Sequence, residues 1–137
     1  MNEWEKKDLL LDTHVWLWLL FGSPRLSSKI RKRIKELTSS CWLSPISVWE
    51  LGILARKSKV NIDSDVRSWV EQALRIFPLR EASVTREIAL LANEIDLPHW
   101  DPADRLLAAT AINHDLTLVT ADRHLLKAPE LSTLSAK

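Results

Sequence analysis

Five acidic residues stand where an ordinary solvated surface does not explain them. Asp12 directly follows the apolar run Leu9-Leu10-Leu11. Glu50 interrupts an apolar stripe: at helical spacing its same-face neighbours are Ile46, Ile53 and Leu54, with Trp49 beside it. Asp101 and Asp104 open a segment that is apolar nearly all round from Leu106 to Ile112. Asp122 closely follows the run Leu116-Thr117-Leu118-Val119. Carboxylates are seldom buried unless they are paired or hold a metal. If Asp12, Glu50, Asp104 and Asp122 converge from their four segments, they cannot all stay ionised without a cation: their pKa values rise or a metal binds. An all-oxygen donor set without cysteine suits Mg2+ or Mn2+ rather than zinc. Such a set supports metal-assisted phosphoryl chemistry, in which a water is activated and the leaving oxygen stabilised.

The elements that must position these acids follow from the rest of the pattern. The short apolar run 8–11 fits a strand buried on both faces. A helix is expected over 13–20, capped by Asp12 or Thr13, then a turn at Gly22-Ser23-Pro24. Ser27 or Ser28 can cap a second helix to about Leu37, with Lys29, Arg31, Lys32, Arg33 and Lys35 on its exposed face. Trp42-Leu43-Ser44 reads as a strand, and Ser44 caps a third helix with Pro45 at its first position. Gly52 in that helix costs about 1 kcal/mol relative to alanine and implies a close approach there. Ser64 or Asp65 starts a fourth helix to about Arg75, and Phe77-Pro78-Leu79 reads as a strand start or edge. A helix over 83–93 places Val84, Ile88, Leu91 and Ala92 on one face. The next helix has Asp101 as N-cap, Pro102 first and Asp104 third, and runs to about His114. A strand over 116–119, a short helix over 122–127 and a last strand over 131–134 complete the chain. This alternation predicts an α/β fold with a parallel sheet covered by helices on both faces. Ligands in such folds sit outside the carboxyl ends of the strands, where Asp12 and Asp122 fall.

Composition narrows the function classes. A chain of 137 residues without a linker-like stretch is expected to be a single domain over 1–137. Only Gly22 and Gly52 are present, which excludes a P-loop and a dinucleotide fingerprint, and with them a nucleotide cofactor. The longest apolar run, Val15 to Phe21, is too short for a bilayer, and no secretory signal is visible. The single Cys41 can form no internal disulfide, so a small buried residue and a reducing cytoplasm are expected. The net charge of +1 does not itself demand nucleic acid, but basic residues cluster at 29–35 and at Arg56, Lys57 and Lys59. Those three, with Arg105 and Arg123 beside the acids, are candidate RNA-phosphate contacts; the bland readings are helix-end charges and salt bridges. Trp16 and Trp18 point to different sides of their helix, so one is expected exposed or at an interface. Trp100 borders the acids and is a candidate base-stacking residue. His14 and His99 lie near the acids and are candidates for proton transfer against a plain structural role.

Taken together, Leu9-Leu10-Leu11-Asp12-Thr13-His14, Ser47-Val48-Trp49-Glu50-Leu51, Asp101-Pro102-Ala103-Asp104-Arg105-Leu106 and Val119-Thr120-Ala121-Asp122-Arg123 resemble the successive motifs of the PIN-domain family. Within it they are most similar to the toxin ribonucleases of VapC type. The resemblance covers essentially the whole chain, in order and at the family's spacing. One such motif is weak; four in register are strong. The resemblance implies a three-layer α/β/α sandwich with a short central parallel sheet, a Mg2+ or Mn2+ site and endoribonuclease activity. It also implies a homodimer and a small antitoxin whose tail can block the site. The metal-site acids then fall on Asp12, Glu50, Asp104 and Asp122. Asp101 matches an extra acid of one subgroup, and Thr13 and Thr120 match hydroxyl positions near the site. The expected function is metal-dependent cleavage of RNA phosphodiesters by the toxin of a toxin–antitoxin pair. The alternative is a catalytically inactive PIN-like module that binds RNA or protein. A haloacid-dehalogenase-like phosphatase needs a second aspartate where His14 stands. A receiver domain needs paired acids that Asp8 does not supply.

Overall fold

The computed structural model describes residues 7–98 and 100–137. At its centre is β1 (Leu9–Leu11), three leucines buried on both faces. Strand alternation sends Leu9 and Leu11 into one hydrophobic core and Leu10 into the other. The sheet order is β3-β2-β1-β4-β5, parallel throughout, with β2 at Cys41–Leu43, β3 at Arg80–Glu81, β4 at Thr117–Thr120 and β5 at Thr133–Ser135. Helices α1 (Thr13–Phe21), α2 (Ser28–Glu36), α3 (Pro45–Arg56) and α4 (Val66–Ile76) build the Leu9/Leu11 core. Helices α5 (Arg86–Glu94), α6 (Pro102–Asn113) and α7 (Arg123–Leu126) build the Leu10 core. The three-layer α/β/α architecture is therefore the expected one.

Local chemistry sets most helix starts. The side chains of Ser27, Ser44, Asp65, Thr85, Asp101 and Asp122 each accept from a backbone N–H of the first turn, and Pro45 and Pro102 occupy positions that need no donor. α6 is buried on most sides, from Ala103 through Ala111, as its nearly unbroken apolar run predicts.

Several boundaries differ from expectation. The strand expected at 77–79 forms instead at Arg80–Glu81. Phe77 still closes α4, its N–H donating to Ala73 O, and Pro78 has no N–H to give a ladder. β2 starts one residue earlier than expected, at Cys41; β4 and β5 start later, at Thr117 and Thr133. Thr85 rather than Ser83 opens α5, which leaves Val84 outside the helix and exposed. Gly52 is not a close approach: a Cβ there meets nothing nearer than Val66 Cγ1 at 4.0 Å. The basic segment is not one solvated face. The Arg31 guanidinium turns back and donates to Leu19 O at 3.2 Å and Ser23 O at 2.5 Å.

Trp16 is fully buried and packs edge-on to Trp69, ring centroids 5.8 Å apart, while Trp18 is half-buried. Cys41 is buried, its thiol donating to Leu37 O at 3.2 Å, and burial pushes its pKa up to about 12. No described helix is long and apolar enough to cross a membrane.

Candidate active site

The β1–β4 register pairs Leu11 with Val119, so the next residues on each strand, Asp12 and Thr120, meet at the carboxyl edge of the sheet. The Asp12 N–H continues the ladder to Val119 O at 3.0 Å. Asp12 occupies the N-cap position of α1, yet its side chain makes no capping bond. It turns instead to Thr120, whose hydroxyl donates to Asp12 Oδ2 at 2.6 Å. Thr120 Oγ1 also accepts from the Asp122 N–H at 3.1 Å. One buried hydroxyl thus ties two of the acids together.

A second hydroxyl does the same for the third acid. Thr13 Oγ1 donates to Glu50 Oε1 at 2.5 Å and lies 2.8 Å from Ser47 Oγ. Ser47 and Glu50 are one helical step apart on the same face of α3, so both reach the start of α1. Ser47 is fully buried and was not among the expected site residues. Its trace in the sequence was a polar residue three positions before Glu50 on an otherwise apolar face. Asp101 caps α6 through Oδ1, accepting from the Asp104 N–H at 3.0 Å, and Asp122 Oδ1 accepts from the His124 N–H at 2.8 Å.

Asp12, Glu50, Asp101, Asp104 and Asp122 line one pocket of about 350 Å3, with His14, Trp18 and Ala121 completing it. Its wall holds no lysine or arginine among the described residues. The electrostatic consequence is the one expected of crowded acids. Burial raises Asp12, partly offset by the Thr120 hydrogen bond; burial also raises Glu50, against the Thr13 hydrogen bond. Asp104 is pushed up to about 7, first by burial and then by the charges of Asp101, Asp12, Asp122 and Glu50. The site therefore stores repulsion that a divalent cation would relieve, and its donors are all hard oxygens. As they stand, no three His, Cys, Asp or Glu side chains among the described residues are grouped so as to hold a metal ion. The carboxylates ring the pocket, engaged by hydroxyls and helix N–H groups.

The remaining expected residues separate into two groups. Arg105 is corrected: it is 3% exposed and donates from Nε to Ala92 O at 2.7 Å and from Nη2 to Ile95 O at 2.6 Å. Its guanidinium also stacks on Trp100, 3.9 Å from the ring centroid, so Trp100 offers a base at most its other face. A buried guanidinium is tolerated there because carbonyls satisfy it, and that use takes it away from RNA. Arg56, Lys57, Lys59 and Arg123 are exposed and lie outside the acidic pocket wall. His14 is exposed at the pocket; His99 lies outside the described residues.

The PIN-domain sequence profile matches residues 9–131. The chain belongs to the PIN-domain family. A curated relative, Ribonuclease VapC22 of Mycobacterium tuberculosis (strain ATCC 25618 / H37Rv), is 37% identical over 120 residues, covering 85% of this chain and 88% of its own. Among solved structures, DNA-bound VapBC from Salmonella typhimurium superimposes with a TM-score of 0.72 at 20% identity, covering 96% of this chain and 99% of that one. A toxin–antitoxin complex from Klebsiella pneumoniae gives 0.63 at 20% identity, covering 94% and 98%. The structural likeness extends the PIN fold over nearly the whole chain. Within this PIN domain, Thr120→Val is expected to keep the fold and lose about 1–2 kcal/mol of stability, because a buried hydroxyl bond is removed. Thr120→Ser restores it; thermal unfolding of the three proteins checks this.

Proposed function

We propose that this PIN-domain protein is a divalent-metal-dependent endoribonuclease that cuts RNA phosphodiester bonds, acting as the toxin of a toxin–antitoxin pair. The observation that carries the reading is the convergence of five carboxylates from four segments on one pocket, with Asp104 raised to about 7, first by burial and then by the charges of the other four. The relative Ribonuclease VapC22 and the structurally similar toxin–antitoxin complex agree with it. On this reading Asp12, Glu50, Asp104 and Asp122 hold one or two Mg2+ or Mn2+ ions, with Asp101 at the rim. The bound ion supplies charge neutralisation, an acidified water and stabilisation of the leaving oxygen. The chain's own part is positioning. Thr120 fixes Asp12 and Asp122, Thr13 fixes Glu50, and the α6 cap sets Asp104 against them. The partners are RNA, a small cognate antitoxin and a second copy of this chain, and the compartment is the cytoplasm.

The test is cleavage of total cellular RNA with Mg2+ or Mn2+ and with EDTA. Discrete fragments that disappear with EDTA are expected; equal cutting in EDTA sinks the metal dependence. Stability gives an independent check. An acid whose folded pKa lies above its unfolded value opposes folding once ionised. For Asp104 the penalty is absent below about pH 3.8, grows as pH rises and is complete above about 7. In EDTA at pH 8, Asp104→Asn is therefore expected to stabilise the protein by about 1–2 kcal/mol, allowing for water in the open pocket. The gain vanishes by pH 4. Added Mn2+ should raise the melting temperature of the native protein more than that of the variant, and calorimetry at both pH values decides it.

A further inference from the structure

We propose that the hollow beside the acidic pocket is a nucleotide subsite, seating an unpaired RNA base and an adjacent phosphate next to the bond that is cut. The proposal rests on the ribonuclease reading. Whatever charge a bound ion neutralises at the scissile phosphate, the acidic pocket wall offers no lysine or arginine to the phosphates beside it. Positive charge must therefore come from where the neighbouring nucleotide lies. A hollow of about 570 Å3 shares His14 and Trp18 with the acidic pocket and carries Arg25 and Lys59. Its volume is in the range of about 300–1,000 Å3 usual for small-molecule sites.

The aromatic wall follows from α1. His14, Trp18 and Phe21 recur at helical spacing and form one stripe. Phe21 is 49% exposed, an apolar ring that the core does not account for, and it is braced by Trp69 with ring centroids 5.7 Å apart. Exposed rings among cations are what single-stranded nucleic acid uses, since any base can stack and phosphates supply the opposite charge. The cations are placed by two helix ends. Gly22 closes α1 with φ 65°, and Arg31 clamps the following turn through Ser23 O, which sets the loop bearing Arg25. Ser58 closes α3 with φ 57°, and the Lys59 N–H returns to Leu54 O at 2.9 Å. Both turns open onto the same hollow, and Ser23 and Asn61 give its margin polar groups able to meet a base edge.

The experiment measures binding of a fluorescein-labelled single-stranded oligoribonucleotide to Asp12→Asn protein in Mg2+, so that cutting does not intervene. In that background Arg25→Ala/Lys59→Ala is expected to weaken binding about tenfold and to lower the slope of log affinity against log salt by about 1.4. Phe21→Ala is expected to weaken binding about tenfold with the salt slope unchanged. Removing two charges elsewhere, by Lys29→Ala/Lys32→Ala, should leave affinity within about twofold. Three results overturn the subsite: groove variants that bind like the parent, a parent that binds no RNA, or a charge control that falls equally. Groove variants that keep RNA affinity, but whose counterparts with native Asp12 escape inhibition by a co-expressed antitoxin, also overturn it and assign the hollow to a protein. Cleavage of the same RNA by protein with native Asp12 is read separately; its failure removes the ribonuclease reading and leaves the binding comparison standing.

Discussion

Replacing Asp12 by asparagine is expected to cut RNA cleavage at least about 100-fold while leaving the fold intact. The substitution keeps the shape of the side chain and an oxygen that can accept from Thr120, so the hydroxyl bond at 2.6 Å survives. What goes is a charge that is costly to hold. Asp12 is 8% exposed, and burial raises its pKa against the pull of Thr120 and His14. Without an ion, removing that charge relieves desolvation and repulsion, so the melting temperature should hold or rise. Activity and stability thus move in opposite directions, which a merely structural aspartate would not do. The measurement is the initial rate on one defined RNA with Mn2+, beside a thermal unfolding curve in EDTA. A rate within about threefold of the native protein would falsify the assignment of Asp12 to the reaction.

Arg105→Ala is the second large effect, and it is one of stability. The guanidinium fills the space between α5 and α6 and satisfies the carbonyls of Ala92 and Ile95, with a longer bond of 3.5 Å to Asn93 O. Truncation strands those buried acceptors and uncovers the face of Trp100. A loss of about 3–5 kcal/mol is expected, and a melting temperature lower by about 10 °C or more. Lysine should recover little, because a single ammonium cannot reach two carbonyls in the geometry of the planar fork. Arg123→Ala, at an exposed position beside the same site, should stay within about 0.5 kcal/mol. An Arg105→Ala protein that melts normally but binds RNA poorly would return Arg105 to the phosphate contacts.

The sequence determined a great deal by composition and local chemistry. Two glycines excluded nucleotide-cradling loops, capping residues placed most helix starts, and an apolar run before Asp12 located the central strand. Glu50 was legible because a charge on an apolar helical stripe needs a reason, and the structure supplies one in Thr13. The helix-cap readings were less decisive, because a cap and a metal ligand use the same residue types. Asp101 and Asp122 do cap their helices, and both also face the pocket. Asp12 sits in a cap position without capping.

Only the tertiary structure could decide where each polar group finds its partner. Arg105 and Arg123 each follow a site acid in the sequence, yet one is buried under Trp100 and the other faces solvent. Strand ends shifted because pairing register, not apolar content, fixes them, and the Leu11–Val119 register is what sets Thr120 beside Asp12. Ser47 became visible only when α3 met the start of α1. A side chain's type and periodicity follow from the chain itself. Which oxygen its hydrogen bond reaches depends on segments distant in sequence, and that geometry exists only once the two cores have packed against the sheet.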